Sequence, residues 1–328
     1  MWGCPVVRYV RNTGAVIAVL AAACASAAGP RELRPVDDSY TVSQRYYAYR
    51  EQYPQIQWPT LRFQAGQQVL FDRLYKKVGE RELHVDVFLP DPARATHHAI
   101  VLVHGGGWRS GNKSNFYAMA NLLAQRGHAV FLPEFRLSPE APYPAGLVDI
   151  NDAIVWTKAQ AAVFAIDPAQ VVLGGESSGG HMAALLAYTA DLDLYKAHAG
   201  DDTHVSALID LDGVLDLASP LALKYENAAG STSPAALWLG GSMEQAPGRW
   251  REASAARHVG PHSPPTLVIG SGEPRFTAGI DEVLPVLRSH GIRNQYAGFE
   301  GTPHAFWLFD PWVNQVVDRI DAFLRDGK

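Results

Sequence analysis

Ser177 lies between glycines in Gly175-Glu176-Ser177-Ser178-Gly179, where an apolar run gives way to a helix-forming stretch. Val171, Val172 and Leu173 read as a short buried strand, and residues 180–187 as the helix that follows. The motif therefore predicts the sharp strand-to-helix turn of a G-x-S-x-G nucleophile elbow, in which small neighbours let the serine hydroxyl protrude. The amide of Ser178 would sit at a helix N-terminus, where free N–H groups and the helix dipole favour a developing negative charge. One turn would thus supply a nucleophile and an electrophilic support for acyl transfer.

A second strand-like run, Ala99-Ile100-Val101-Leu102-Val103, leads directly into His104-Gly105-Gly106-Gly107-Trp108. Three consecutive glycines leave backbone amides open, and an acyl-transfer site needs donors aimed at a carbonyl oxygen as it becomes tetrahedral. Gly106 and Gly107 are the candidate donors, together with Ser178. The chemistry also demands a base, because serine is a weak nucleophile at neutral pH, and a carboxylate to hold that base in one tautomer.

These motifs give the chain its resemblance to a known family. The H-G-G-G-W run and the elbow resemble those of α/β-hydrolase esterases of the hormone-sensitive-lipase and acetyl-esterase kind. The likeness extends from about Leu83 onward and includes Phe135-Arg136-Leu137-Ser138-Pro139-Glu140, Tyr143-Pro144-Ala145 and a helix containing Asp149. Glu176 stands where that family often has aspartate, and the stretch from Asp212 to His262 departs from the lipase branch. The segments Asp212-Gly213-Val214-Leu215-Asp216 and Gly272-Glu273-Pro274-Arg275-Phe276 are most similar to exported carbohydrate esterases.

The resemblance implies a chain order of serine, acid, histidine. Of the twelve histidines, His304 is expected to be the base, in a loop after the strand-like Gln295-Tyr296-Ala297-Gly298-Phe299 and before the last helix. His290 reads as a helix C-terminal cap, and His181 and His104 as structural. For the acid, Glu273 matches the family's D-P position at the end of the strand 266–271, and glutamate can orient an imidazole as aspartate does. Asp281 at the next helix start and Asp212 after an earlier strand are the competing candidates.

Strands expected at 83–89, 99–104, 129–132, 171–174, 207–211, 267–271 and 295–299 alternate with helices near 115–126, 145–160, 180–190, 280–290 and 312–325. This predicts the α/β class: an α/β-hydrolase fold with a mostly parallel sheet covered by helices on both faces. At 328 residues and 47% hydrophobic content, the chain can bury one large core. The expected organisation is a signal peptide over 1–27, an N-terminal extension over 28–82, and a hydrolase domain over 83–328 with a cap insertion at about 213–265.

The signal is read from Arg8 and Arg11, the apolar stretch 15–23 and Ala25-Ser26-Ala27, which together imply export to the periplasm or medium. Lipid anchoring through Cys24 is the alternative. Both cysteines, Cys4 and Cys24, fall in this segment, so cleavage after Ala27 would leave neither. A net charge of −5 without a basic run gives no footprint for nucleic acid or an anionic membrane. No cofactor or metal is expected: His258 and His262 have helical spacing, but Gly260 and Pro261 between them break the helix.

Trp108, Trp238 and Trp307 are candidate substrate-binding residues, since aromatic rings can stack on sugar faces. The tyrosines at 40, 46, 47, 49 and 53 could cover the same mouth. The leading expectation is an exported serine esterase that removes acetyl or methyl esters from plant cell-wall carbohydrate through a Ser-His-Glu triad. A general short-chain carboxylesterase is the second reading, and a catalytically silent hydrolase-fold binding protein a third of another class.

Overall fold

The computed structural model describes residues 37–326. The expected export signal and both cysteines lie outside the described residues. The strands are β1 (Gln68–Val78), β2 (Arg81–Leu89), β3 (Ala99–Val103), β4 (Ala129–Pro133), β5 (Val171–Glu176), β6 (Ala207–Leu211), β7 (Thr266–Gly270) and β8 (Asn294–Gly298). They form one sheet in the order β1-β2-β4-β3-β5-β6-β7-β8. β1 and β2 pair antiparallel, as do β2 and β4, and every later pairing is parallel.

Strands β3 to β7 are buried along their whole length. Their largely apolar runs, rather than alternating ones, fit a parallel sheet covered on both faces. Along β3, Val101 and Val103 face one core and Ile100 and Leu102 the other. The helices are α1 (Val42–Tyr49), α2 (Tyr117–Gln125), α3 (Ala145–Ala159), α4 (Ala161–Phe164), α5 (Ser178–Tyr188), α6 (Pro220–Ala229), α7 (Pro234–Leu239), α8 (Pro247–Glu252), α9 (Ile280–Ser289) and α10 (Trp312–Arg325). Residues of α3 and α5 fill the first core, and those of α2 and α10 the second. Among the described residues no helix is long and apolar enough to cross a membrane.

The sheet takes in residues 68–78, which the expected domain start at Leu83 left outside. β1 is an edge strand whose residues are exposed or half-buried and whose register shifts twice, so its sequence lacks the apolar run that marks the inner strands. The segment after β6 folds into α6, α7 and α8, each with proline in its first turn. Ser219 and Ser233 cap the first two by accepting backbone N–H bonds.

Candidate active site

The residues singled out by their chemistry converge at the C-terminal ends of the parallel strands, where open α/β sheets form their ligand crevice. Ser177 follows β5 with φ 54° and ψ −123°, a conformation that a non-glycine residue holds only when its surroundings impose it. The surroundings do so. Its N–H donates to the Leu211 carbonyl at 2.8 Å, and its carbonyl accepts from His181 N–H at 2.9 Å. A Cβ on Gly179 would lie 2.1 Å from the Val103 carbonyl oxygen, and one on Gly175 would lie 2.4 Å from that of Gly179. Only glycine lets the three chain segments approach this closely.

Ser177 Oγ is 2.9 Å from His304 Nε2, and His304 Nδ1 is 2.8 Å from Asp212 Oδ2. With Nδ1–H donating to the carboxylate, Nε2 is left as the acceptor for the serine proton. Asp212 is buried, and its other oxygen accepts the Ser271 N–H at 2.7 Å. Its backbone has φ 52°, and its N–H donates to the Ile269 carbonyl at 2.9 Å. The carboxylate at the imidazole is thus Asp212, not Glu273. Glu273 lies on the exposed turn after β7, where Oε1 accepts the backbone N–H of His304 at 3.1 Å. The tight turn straight after β6 carries Asp212 under the ring, whereas Glu273 reaches the histidine from its backbone side. Asp281 sits in the first turn of α9, and His290 is that helix's C-cap.

Phe276 stacks on the His304 imidazole, with ring centroids 3.6 Å apart and planes inclined by 10°. Sequence reasoning did not single out this ring. Its place three residues after Glu273 was the available signal.

The glycine loop after β3 turns at Gly106 (φ 120°) and Gly107 (φ 62°). Among the described residues neither amide donates to a protein acceptor. The loop is tied on both sides: Gly105 N–H donates to Glu176 Oε1 at 2.8 Å, and Trp108 N–H to Ser178 Oγ at 3.1 Å. Glu176 is fully buried, and burial raises its carboxyl above the ordinary range. Its second oxygen accepts the Tyr40 hydroxyl at 2.8 Å, and Tyr40 N–H donates to Ser110 Oγ at 2.9 Å. The segment before α1 therefore reaches beneath the glycine loop, a contact no local pattern announces.

A small cavity of about 60 Å³ opens beside Ser177, lined by Gly107, Trp108, Val214, Leu217, Pro234 and Phe276 among others. Of the three tryptophans expected to bind substrate, only Trp108 lines it. Trp238 is buried behind Trp108, stacked on it at 4.9 Å, and Trp307 is fully buried with its ring edge-on to His304. Both support the site from behind, because each fills a core position that the strand-end loops must close over. The Trp108 Nε1–H donates to His181 Nδ1 at 3.3 Å, and His181 Nε2–H to the Ala253 carbonyl at 2.7 Å. Burial lowers the pKa of His181 to about 4, so it remains neutral and its two nitrogens keep these distinct roles.

The family model described as BD-FAE matches residues 85–292, well over half of the chain. The chain belongs to the BD-FAE family. This BD-FAE member is 27% identical to Esterase LipC of Mycobacterium tuberculosis over 64% of its own length and 53% of the relative's. It spans about half the length of that curated relative. Among solved structures, the propionate-bound esterase Est2 of Thermogutta terrifontis has a TM-score of 0.63 at 24% identity, covering 80% of this chain and 94% of that one. A truncated carbohydrate esterase from gut microbiota has a TM-score of 0.67 at 21% identity, covering 79% and 95%. These two likenesses establish the fold, an α/β-hydrolase fold shared with esterases.

Proposed function

We propose that this protein is a serine esterase that hydrolyses short-chain esters, with Ser177 as nucleophile, His304 as base and Asp212 as the orienting acid. The observation that carries the reading is the continuous relay from Ser177 Oγ through His304 to Asp212 at 2.9 and 2.8 Å. In acylation, Ser177 Oγ attacks the ester carbonyl carbon as its proton passes to His304 Nε2. The carbonyl oxygen becomes an oxyanion facing the amides of Gly106, Gly107 and Ser178, and a single such donor is worth roughly 2.7–4 kcal/mol of barrier. Collapse breaks the bond to the alcohol, which takes the proton from Nε2 as it leaves. Water then attacks the acyl-serine by the same path and releases the acid.

The end of the small cavity formed by Gly107, Trp108 and Pro234 suits acetyl-sized acyl groups. A solved carbohydrate esterase that shares the fold supports the sugar-ester reading, with acetyl esters of plant cell-wall carbohydrate as the substrates, since in a methyl ester the acyl part would be the sugar itself. Export, the N-terminal signal and the cap role of α6 to α8 belong to the same proposal. Assaying acetate and methanol release from acetylated xylan and from acetylated and methylated pectin, beside simple aryl acetates, tests it. Release of acetate from the polysaccharides, without methanol, is the expected result. Turnover of aryl acetates alone would favour a general carboxylesterase, and none at all a silent binding protein.

A further inference from the structure

Beside Ser177, Ser178, His181 and Asp212, the wall of the cavity carries one further pair of charged groups, Arg275 with Glu226. An Arg275 terminal nitrogen lies 3.0 Å from Glu226 Oε1, and Ser233 Oγ–H donates to the other oxygen of Glu226. Glu226 is buried, with both oxygens engaged, while the Arg275 side chain keeps 36% of its surface open. The guanidinium also lies 5.3 Å from the ring centre of Tyr225 and 5.2 Å from that of Phe276. The carboxylate and the two rings hold the group in one orientation. One bond to Glu226 leaves the rest of its five N–H donors free of any protein acceptor among the described residues.

We propose that Arg275 selects esters whose leaving alcohol carries a carboxylate, an inference that rests on the esterase reading above. Two arguments place it on the alcohol side. His304 Nε2 delivers its proton to the departing alcohol, so groups flanking that ring flank the leaving group. Phe276 stacks on the ring, and Arg275 is its neighbour in sequence and in space. A planar, pre-oriented fork of donors matches a carboxylate in two-pronged geometry and makes charge-assisted bonds stronger than neutral ones. A site for neutral sugars alone has no need of a guanidinium held at its wall.

The test compares kcat/KM for 4-acetoxybenzoate and 4-acetoxybenzamide, which differ in the charge of the leaving phenol, in wild type and in Arg275→Gln. We expect wild type to favour the benzoate by about tenfold, and the variant to lose that ratio. With wild type alone, 4-hydroxybenzoate should inhibit 4-nitrophenyl acetate hydrolysis more strongly than 4-hydroxybenzamide, a readout that needs no variant to fold. Equal ratios in wild type and variant, or a preference for the amide, would overturn the proposal. So would an anion preference that appears only with the charge on the acyl side, as in ethyl hydrogen succinate against ethyl butyrate. Failure to hydrolyse any of these esters, 4-nitrophenyl acetate included, would instead remove the esterase reading and this inference with it.

Discussion

Asp212 and Glu273 hold the same histidine by different atoms: Asp212 takes the ring Nδ1 and Glu273 the backbone N–H. The two carboxylates come from the ends of adjacent strands, β6 and β7, and only the first is oriented to stabilise an imidazolium. Asp212→Asn should therefore lower kcat by up to about 10⁴, as loss of the orienting carboxylate does in well-studied triads. Glu273→Gln should be much milder, since an amide oxygen can still accept from the backbone. Steady-state kinetics on an aryl acetate read the difference, and a crippled Glu273→Gln beside an active Asp212→Asn would reverse the assignment.

Tyr40 and Glu176 form a buried support for the glycine loop. Removing the tyrosine hydroxyl leaves one oxygen of a fully buried carboxylate without its donor, which typically costs about 1–3 kcal/mol. Tyr40→Phe should lower stability by that amount in denaturant titrations. It should reduce kcat more than it changes KM, because Glu176 also holds the Gly105 amide. A variant as stable and as active as wild type would show that the contact is incidental.

His104 and His181 are both buried and held at about pKa 4 by desolvation, against an unfolded value near 6.5. Between those values the unfolded chain binds more protons than the folded one, so stability rises with pH across this window. It is complete above about pH 6.5 and declines as pH falls toward 4, by on the order of 3 kcal/mol for each residue. Unfolding midpoints measured from pH 7 to 4 should show this slope, and His181→Asn should flatten part of it. A wild-type midpoint constant over the window would contradict neutral burial of these rings.

The acyl chain should be short. Trp108 is fixed by its stack on Trp238 and its bond to His181, and Pro234 comes close enough to Gly107 that a Cβ there would lie 3.2 Å away. A long acyl group would have to displace these groups, losing the near-attack geometry on which turnover depends. Acetyl and propionyl esters should outrun octanoyl esters in kcat/KM with soluble monomeric substrates. The reverse order would mean that the apolar wall opens into a lipase-like groove.

Local pattern singled out Ser177, Gly106 and Gly107, and the family resemblance pointed to His304, whose ring the structure brings to 2.9 Å from the Ser177 hydroxyl. The inner strands were equally legible, since burial on both faces demands unbroken runs such as Ala99–Val103. The acid was not legible, because a carboxylate can reach one imidazole from the end of either of two neighbouring strands, and only the fold decides between them. Nor was the role of Trp238 and Trp307, as a stacked ring behind a pocket and a ring lining it look alike in sequence. β1 escaped notice because an exposed edge strand carries no apolar run, and the contact of Tyr40 with Glu176 did so because the two lie far apart along the chain.

The central claim is that an acyl group passes through Ser177, and trapping that intermediate tests it most directly. Wild type mixed with 4-nitrophenyl acetate, quenched in acid within the first turnovers and digested for peptide mass mapping, should carry acetyl on the peptide containing Ser177. The label should be absent in Ser177→Ala, whose turnover should fall by several orders of magnitude, up to the ~10⁶ known for loss of a serine nucleophile. Acetyl on another residue, or near-wild-type turnover by Ser177→Ala, would contradict the account.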